Sequence, residues 1–222
     1  MFRIKICGVT TIDDARLVGR AGADAVGLNF YPSSPRYLAA ERALGVAQAI
    51  PGSVSKVGLF VNADETTIID AWDRLSLDYI QLHGDETPEY VARLAPRRVI
   101  RALRVGPAGL APVFEFLDRC REMGCTPAAV LLDAYDPHAR GGTGKQVDWH
   151  AVSEYTMPPD SASLPPLVLA GGLHPENVAE AIHLVRPQAV DVASGVELSP
   201  GVKHPALVTA FVQAARRGFA AL

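Results

Sequence analysis

One rhythm constrains this chain more than any other feature. A short apolar run rich in β-branched residues gives way to a longer segment with a helical pattern, eight times over. The runs occupy residues 4–7, 25–30, 56–61, 79–82, 99–103, 128–132, 167–170 and 189–193. They are near-continuously apolar, as strands covered on both faces are; a solvated face would impose a polar residue at every second position. The intervening segments are 11–21, 39–50, 64–74, 88–95, 111–123, 149–155, 175–185 and 204–217. In several the start is explicit: Thr11-Ile12-Asp13-Asp14, Asp64-Glu65 and His174-Pro175-Glu176-Asn177 place caps, acids or proline in a first turn. Eight pairs in 222 residues come to about 28 residues per unit, close to the ~30 of a βαβ step. The count predicts an α/β fold, a (β/α)8 TIM barrel of parallel strands spanning 1–222 as one domain. A doubly wound open sheet, the alternative, commonly needs only about five or six strands.

Composition agrees with one core and narrows the partners. The chain is 49% hydrophobic, and 21 basic against 24 acidic residues leave a net charge of −3 dispersed along it. That distribution offers no footprint for nucleic acid or an anionic membrane, so a small molecule is the expected partner. No apolar stretch approaches the ~20 residues that span a bilayer, and the N-terminus lacks a secretory core, so a soluble, cytoplasmic protein is expected. Cys7, Cys120 and Cys125 form no C-x-x-C pair and no zinc-ligand spacing with histidine, so no metal is expected; the odd count and cytosolic character predict free thiols, with a Cys120–Cys125 disulfide as the alternative. Residues 136–148, after the sixth strand, are placed to cover a site; residues 157–166, with four prolines, read as a linker.

Reactive groups in such barrels gather at the C-terminal strand ends, where Cys7, Asn29, His83, Asp133 and Ser194 all stand. Each has a bland reading. A lone cysteine is usually a small buried hydrophobe, an aspartate can cap a turn, and a histidine can be structural. Asp191, inside the eighth strand, is either paired or aimed at a ligand. Convergence on one mouth strengthens the set, because a thiol from strand one and a carboxyl from strand six then flank a substrate.

Glycines add a second constraint. Gly171 and Gly172 end the seventh strand, and Ser194 and Gly195 end the eighth, where barrels commonly bind phosphate through backbone N–H groups. Tight turns are the alternative reading of these glycines. Arg140-Gly141-Gly142-Thr143-Gly144-Lys145 is no Walker A loop, since Gln146 stands where Ser or Thr is required; a lid fits its place better. Arg36, after two prolines in Tyr31-Pro32-Ser33-Ser34-Pro35-Arg36, can grip a carboxylate bidentately or lie on the surface.

Taken together, "KICG", "GADAVG", "SPRY", "VGLFVN", "QLHG", "LLDA", "GGTGK", "LAGGL" and "VDVASGVE", in that order over nearly the whole chain, resemble the phosphoribosylanthranilate isomerases of tryptophan biosynthesis. The resemblance implies an Amadori rearrangement of an aminoaldose phosphate to its 1-deoxyribulose 5-phosphate ketose, without metal or organic cofactor. It implies Asp133 as the general acid that opens the furanose ring and Cys7 as the base that takes the C2′ proton. Arg36 is similar to the family's contact for the anthranilate carboxylate. Gly171, Gly172, Ser194 and Gly195 fall in its phosphate site, and His83 and Asp191 line its pocket. A thiolate, with an ordinary thiol pKa of about 8.5, suffices as base where neighbouring positive charge favours ionisation.

Residues 106–125 and 157–166 depart from the family pattern, and Cys120 and Cys125 have no role in it. An indole-3-glycerol phosphate synthase-like barrel would carry lysine and glutamate where Cys7 and Asp133 stand. A non-catalytic phosphosugar-binding barrel would need neither acid nor base. A monomer is expected, with a homodimer as the alternative.

Overall fold

A computed structural model describes residues 1–134, 147–156 and 164–222. Strands β1 (Ile4–Cys7), β2 (Ala25–Asn29), β3 (Ser55–Phe60), β4 (Tyr79–Leu82), β5 (Val99–Val105), β6 (Ala129–Ala134), β7 (Leu167–Leu169) and β8 (Ala189–Val192) pair in sequence order. They are parallel throughout and close into a barrel when β8 returns to β1. At that seam Ile4 lies beside Val190, Lys5 beside Asp191 and Ile6 beside Val192. Around the strands run α1 (Ile12–Ala21), α2 (Ala40–Ala49), α3 (Glu65–Leu75), α4 (Pro88–Arg93), α5 (Ala111–Glu122), α6 (Trp149–Ser153), α7 (Val178–Val185) and α8 (Pro205–Ala220). The rhythm of the sequence is therefore the rhythm of the fold.

Alternation along each strand sorts side chains into two cores. Ile4, Ile6, Val130, Leu132 and Val190 point outward and pack with Val18, Ile68, Leu117, Ile182 and Phe211 of the helices. Phe2, Val57, Tyr79, Ile100, Leu131 and Val168 point inward and fill the barrel. Phe2 meets Tyr79 edge to face, centroids 5.5 Å apart, at the N-terminal end of the interior. The same parity sends Lys5, Cys7, Asp133 and Asp191 inward, toward the opposite end.

Local signals explain most helix starts. Thr11 Oγ1 accepts the Asp14 N–H at 3.0 Å, and Asp64 Oδ1 accepts the Thr67 N–H at 2.8 Å. α7 starts at Val178, three residues after Pro175 where the sequence places it. The Asn177 side chain accounts for the delay: Oδ1 accepts the His174 N–H at 2.8 Å and Nδ2 donates to the Gly172 carbonyl at 3.0 Å, fastening 174–177 as a turn.

β5 and β6 run past their apolar cores because Arg104 pairs with Asp133 and Val105 with Ala134, which puts Asp133 inside its strand. The sequence pattern gave no sign of a 3-10 turn at Ser194–Val196 or of the antiparallel hairpin β9 (Glu197–Ser199) and β10 (Val202–Lys203) before α8. All three cysteines are free thiols. Of segment 136–148 only Val147 and Asp148 are described; the glycine-rich stretch expected as a lid lies outside the described residues, as do residues 157–163 of the expected linker. Among the described residues no helix is long and apolar enough to cross a membrane.

Leu132 is fully buried between barrel and helices, whereas Leu198 on the hairpin is 72% exposed. Leu132→Ala should cost about 3 kcal/mol. Leu198→Ala should change stability by less than about 0.5 kcal/mol. Urea midpoints at unchanged m measure both.

Candidate active site

The β1–β8 seam builds one wall. Lys5 has no exposed surface, and its Nζ lies 2.9 Å from Asp191 Oδ1. Two residues on, Cys7 points the same way. Gly27 on β2 faces both, since a Cβ there would stand 2.6 Å from Cys7 Sγ and 3.0 Å from Lys5 Nζ. Only a glycine leaves the thiol and the ammonium their shared space. Burial pushes the Cys7 thiol up, and Asp191 adds to that, against the pull of Lys5 and Lys203 toward the thiolate. Neighbouring cations are present as the base requires, yet burial wins, so the thiol sits above its ordinary range. Burial would lower the Lys5 ammonium, but Asp191 and Cys7 outweigh it and hold Lys5 above its usual value.

The facing wall comes from β4 and β6. Asp133 is buried, and its Oδ1 accepts the Ala134 N–H at 2.8 Å. Its Oδ2 lies 3.5 Å from His83 Nε2, too long for a hydrogen bond. His83 Nε2 is buried with no hydrogen-bond partner among the described residues. Gln81 Nε2 lies 3.1 Å from His83 Nδ1. An amide donor at Nδ1 puts the imidazole proton on Nε2, the atom facing Asp133.

Two loops meet at the rim. Gly171 and Gly172 have φ of +86° and +68°, a left-handed pair open to glycine at little cost. A Cβ on Gly171 would press on Ala134 N at 2.9 Å and Asp133 Oδ1 at 3.1 Å, so the β7 loop lies directly against Asp133. Ser194 opens the 3-10 turn after β8, and a Cβ on Gly195 would overlap the Leu173 carbonyl oxygen. The four residues expected at a phosphate site are thus brought into one place.

A buried clamp holds the remaining side of the mouth. Arg36 donates from Nε and Nη2 to Glu197 at 2.9 and 2.7 Å, leaving Nη1 without an acceptor among the described residues. Glu197 Oε1 also accepts from Lys203 Nζ at 2.8 Å and from the Gly201 N–H at 3.2 Å. Lys203 Nζ donates in turn to the Cys7 carbonyl, tying the hairpin to the end of β1. Burial would raise the Glu197 carboxyl, but Arg36 and Lys203 outweigh it and hold it below the usual carboxylate range. Lys203 is pulled below its usual value by burial, against the pull of Glu197.

Of the residues singled out in the sequence, Cys7, His83, Asp133 and Asp191 enter the interior, and Gly171, Gly172, Ser194 and Gly195 its rim. Asp191 is paired rather than free. Arg36 is neither a surface arginine nor an open fork, since a protein carboxylate already takes one edge of it. Asn29 serves its own loop, bonding Ser34 Oγ at 3.0 Å and the Tyr31 N–H at 2.9 Å. Lys5, Gln81, Glu197 and Lys203 were missed. Inward parity with Cys7 and with His83 was the available sign for Lys5 and Gln81. Among the described residues no group of three or more His, Cys, Asp or Glu is arranged to hold a metal ion.

Fold and site together define a (β/α)8-barrel protein with a thiol and a carboxyl on facing inner walls beside glycine-rich β7 and β8 loops. The model of the N-(5′-phosphoribosyl)anthranilate (PRA) isomerase family matches residues 4–214, and the chain belongs to that family. It is 44% identical over 219 residues, 98% of each chain, to N-(5′-phosphoribosyl)anthranilate isomerase of Citrifermentans bemidjiense. Solved monomers of the dimeric phosphoribosylanthranilate isomerase of Thermotoga maritima are 37% identical with a TM-score of 0.80, covering 98% of this chain and 100% of theirs. A solved phosphoribosyl anthranilate isomerase in complex with reduced 1-(o-carboxyphenylamino)-1-deoxyribulose 5-phosphate is 36% identical with a TM-score of 0.77 and the same coverage.

The clamp makes stability depend on acid. A carboxyl held low in the folded state contributes fully above its unfolded pKa, about 4.3 for glutamate, and the contribution is lost as pH falls through the lower native value. Glu197→Gln strands two buried cations and should cost about 3 kcal/mol near neutral pH. The gap between variant and wild type should narrow as pH falls below about 4, followed by urea denaturation across the range.

Proposed function

We propose that the protein is an N-(5′-phosphoribosyl)anthranilate isomerase, converting its substrate to 1-(2-carboxyphenylamino)-1-deoxyribulose 5-phosphate within tryptophan biosynthesis. The observation that carries the reading is the placement of Cys7 and Asp133. Both are buried, both point inward at the C-terminal ends of strands on facing walls, and both lie in a chain of this family.

In this reading Asp133 donates its proton to the furanose ring oxygen as the C1′–O bond breaks, and the nitrogen lone pair forms the iminium. Cys7, a thiol at rest, first ionises beside Lys5 and Lys203; its thiolate then takes the C2′ proton, and the C–H electron pair becomes the C1′–C2′ double bond while the iminium nitrogen recovers its pair. The Asp133 carboxylate takes the enolamine's O–H proton as the C2′ carbonyl forms, and the Cys7 thiol gives its proton to C1′, so Asp133 is again protonated and Cys7 again a thiolate. His83 Nε2–H faces the same space and is placed to bond a substrate oxygen. The phosphate lies against the backbone at Gly171, Gly172, Ser194 and Gly195, and the Nη1 edge of Arg36 serves the anthranilate carboxylate. One barrel domain over 1–222, a cytoplasmic location and a monomer complete the proposal; light scattering on the purified protein reads the last.

Folded wild-type protein should convert freshly prepared phosphoribosylanthranilate with a change in fluorescence, and absence of turnover would sink the reading. Cys7→Ala and Asp133→Asn should each lower kcat by about 10²-fold or more. Near-wild-type turnover by either variant removes that residue from its role.

A further inference from the structure

Lys5 is the unexplained group of this interior. A lysine with no exposed surface at the floor of a site is held there by something, and Asp191 at 2.9 Å satisfies one of its three donors. The thiol of Cys7 is its other neighbour. Both side chains come from the inward face of β1, two residues apart, and both border the space left by Gly27, which a Cβ would bring to 2.6 Å of the sulfur and 3.0 Å of the ammonium. We infer that Lys5 is the positioning residue that stabilises Cys7 as thiolate, and that Asp191 is its counterweight, limiting how far the thiol ionises at rest. The inference rests on the reading of Cys7 as base and adds the device that sets its charge.

Charge arithmetic in the interior supports opposed roles. With Cys7 as a thiol, Lys5 and Asp191 form a neutral pair. Ionised Cys7 leaves two anions on one ammonium, so Lys5 favours ionisation and Asp191 resists it, in line with the direction each exerts on the thiol. The other charged groups on this wall are Lys203 from β10, bound to the Cys7 carbonyl, and Arg36 and Glu197, bound to each other. Lys203 and Arg36 share Glu197, whereas among the described residues Lys5 is bonded to Asp191, with the Cys7 sulfur beside it. A merely structural ion pair would hold β1 to β8 and would be indifferent to the thiol.

Alkylation of Cys7 by iodoacetamide separates the two possibilities. The thiolate sulfur forms the S–C bond while the C–I bond breaks and iodide leaves, so below the thiol pKa the rate follows the thiolate fraction. Peptide mass spectrometry reads Cys7 apart from Cys120 and Cys125, with Cys125 as the internal reference. A one-unit change in pKa alters the thiolate fraction about tenfold and is partly offset by the thiolate's changed nucleophilicity. At pH 8, Lys5→Met should therefore slow Cys7 alkylation, and Asp191→Asn should speed it, by at least about threefold each.

Loosened packing alone would speed both variants. Rates that move in the same direction, or that do not move, overturn the inference. If Lys5→Met does not fold, the near-isosteric Asp191→Asn decides alone: faster alkylation with a lower pH midpoint supports the inference, and an unmoved or raised midpoint overturns it. No turnover is needed for this readout. Opposed shifts in a protein inactive on phosphoribosylanthranilate would sink the proposed reaction and leave the Lys5 assignment standing, and an active enzyme without the shifts would do the reverse.

Discussion

Closing eight parallel strands on themselves forces every second residue into one shared interior, and the rest of the structure follows from how that interior is filled. An eight-stranded barrel is just wide enough for side chains to fill it. Toward the N-terminal end of the strands the filling is apolar, from Phe2 and Tyr79 up through Ile100, Leu131 and Val168. Toward the C-terminal end it is polar: Lys5, Cys7, Gln81, His83, Asp133 and Asp191. The β1–β8 register that closes the barrel also sets Lys5 level with Asp191. One contact thus completes the barrel and lays the floor of the site.

Burying so much charge is tolerable only because each ion has a partner. Glu197 is bonded by two cations and a backbone N–H, and Lys203 by a carboxylate and two carbonyls. Such groups stabilise little compared with well-packed apolar ones, but removing one partner strands the other. What they supply here is position. Arg36, Glu197 and Lys203 join the loop after β2, the hairpin after β8 and the end of β1, three segments distant in sequence. For Cys7 the balance falls differently, since burial outweighs two nearby lysines, and the resting sulfur is held as thiol with its countercharge in place.

The barrel was legible because its strands are covered on both faces and so read as unbroken apolar runs; where β5 and β6 run longer, the cause is pairing between Arg104 and Asp133, which no local pattern carries. Cys7, His83 and Asp133 stood out as polar residues where apolar runs stop. Lys5 did not, because it interrupts a run whose neighbours Ile4 and Ile6 face the other way, and parity was needed to see it beside Cys7. The clamp was harder still: Arg36 and Glu197 are 161 positions apart, and nothing near either one announces a partner. Asp191, left between a structural pair and a ligand contact, proves to be paired, with a thiol as the pair's neighbour. The roles of acid and base came from the resemblance, and the geometry supplies the facing walls those roles need.

In the proposed reaction one ligand spans this interior, with chemistry between the two walls and phosphate at the β7 and β8 loops. A crystal structure of the protein with reduced 1-(o-carboxyphenylamino)-1-deoxyribulose 5-phosphate tests it most directly. Phosphate oxygens should accept backbone N–H bonds at Gly172 and Gly195, and the sugar chain should touch both Cys7 Sγ and the Asp133 carboxyl. A phosphate bound away from those loops, or a sugar touching only one of the two side chains, would contradict it.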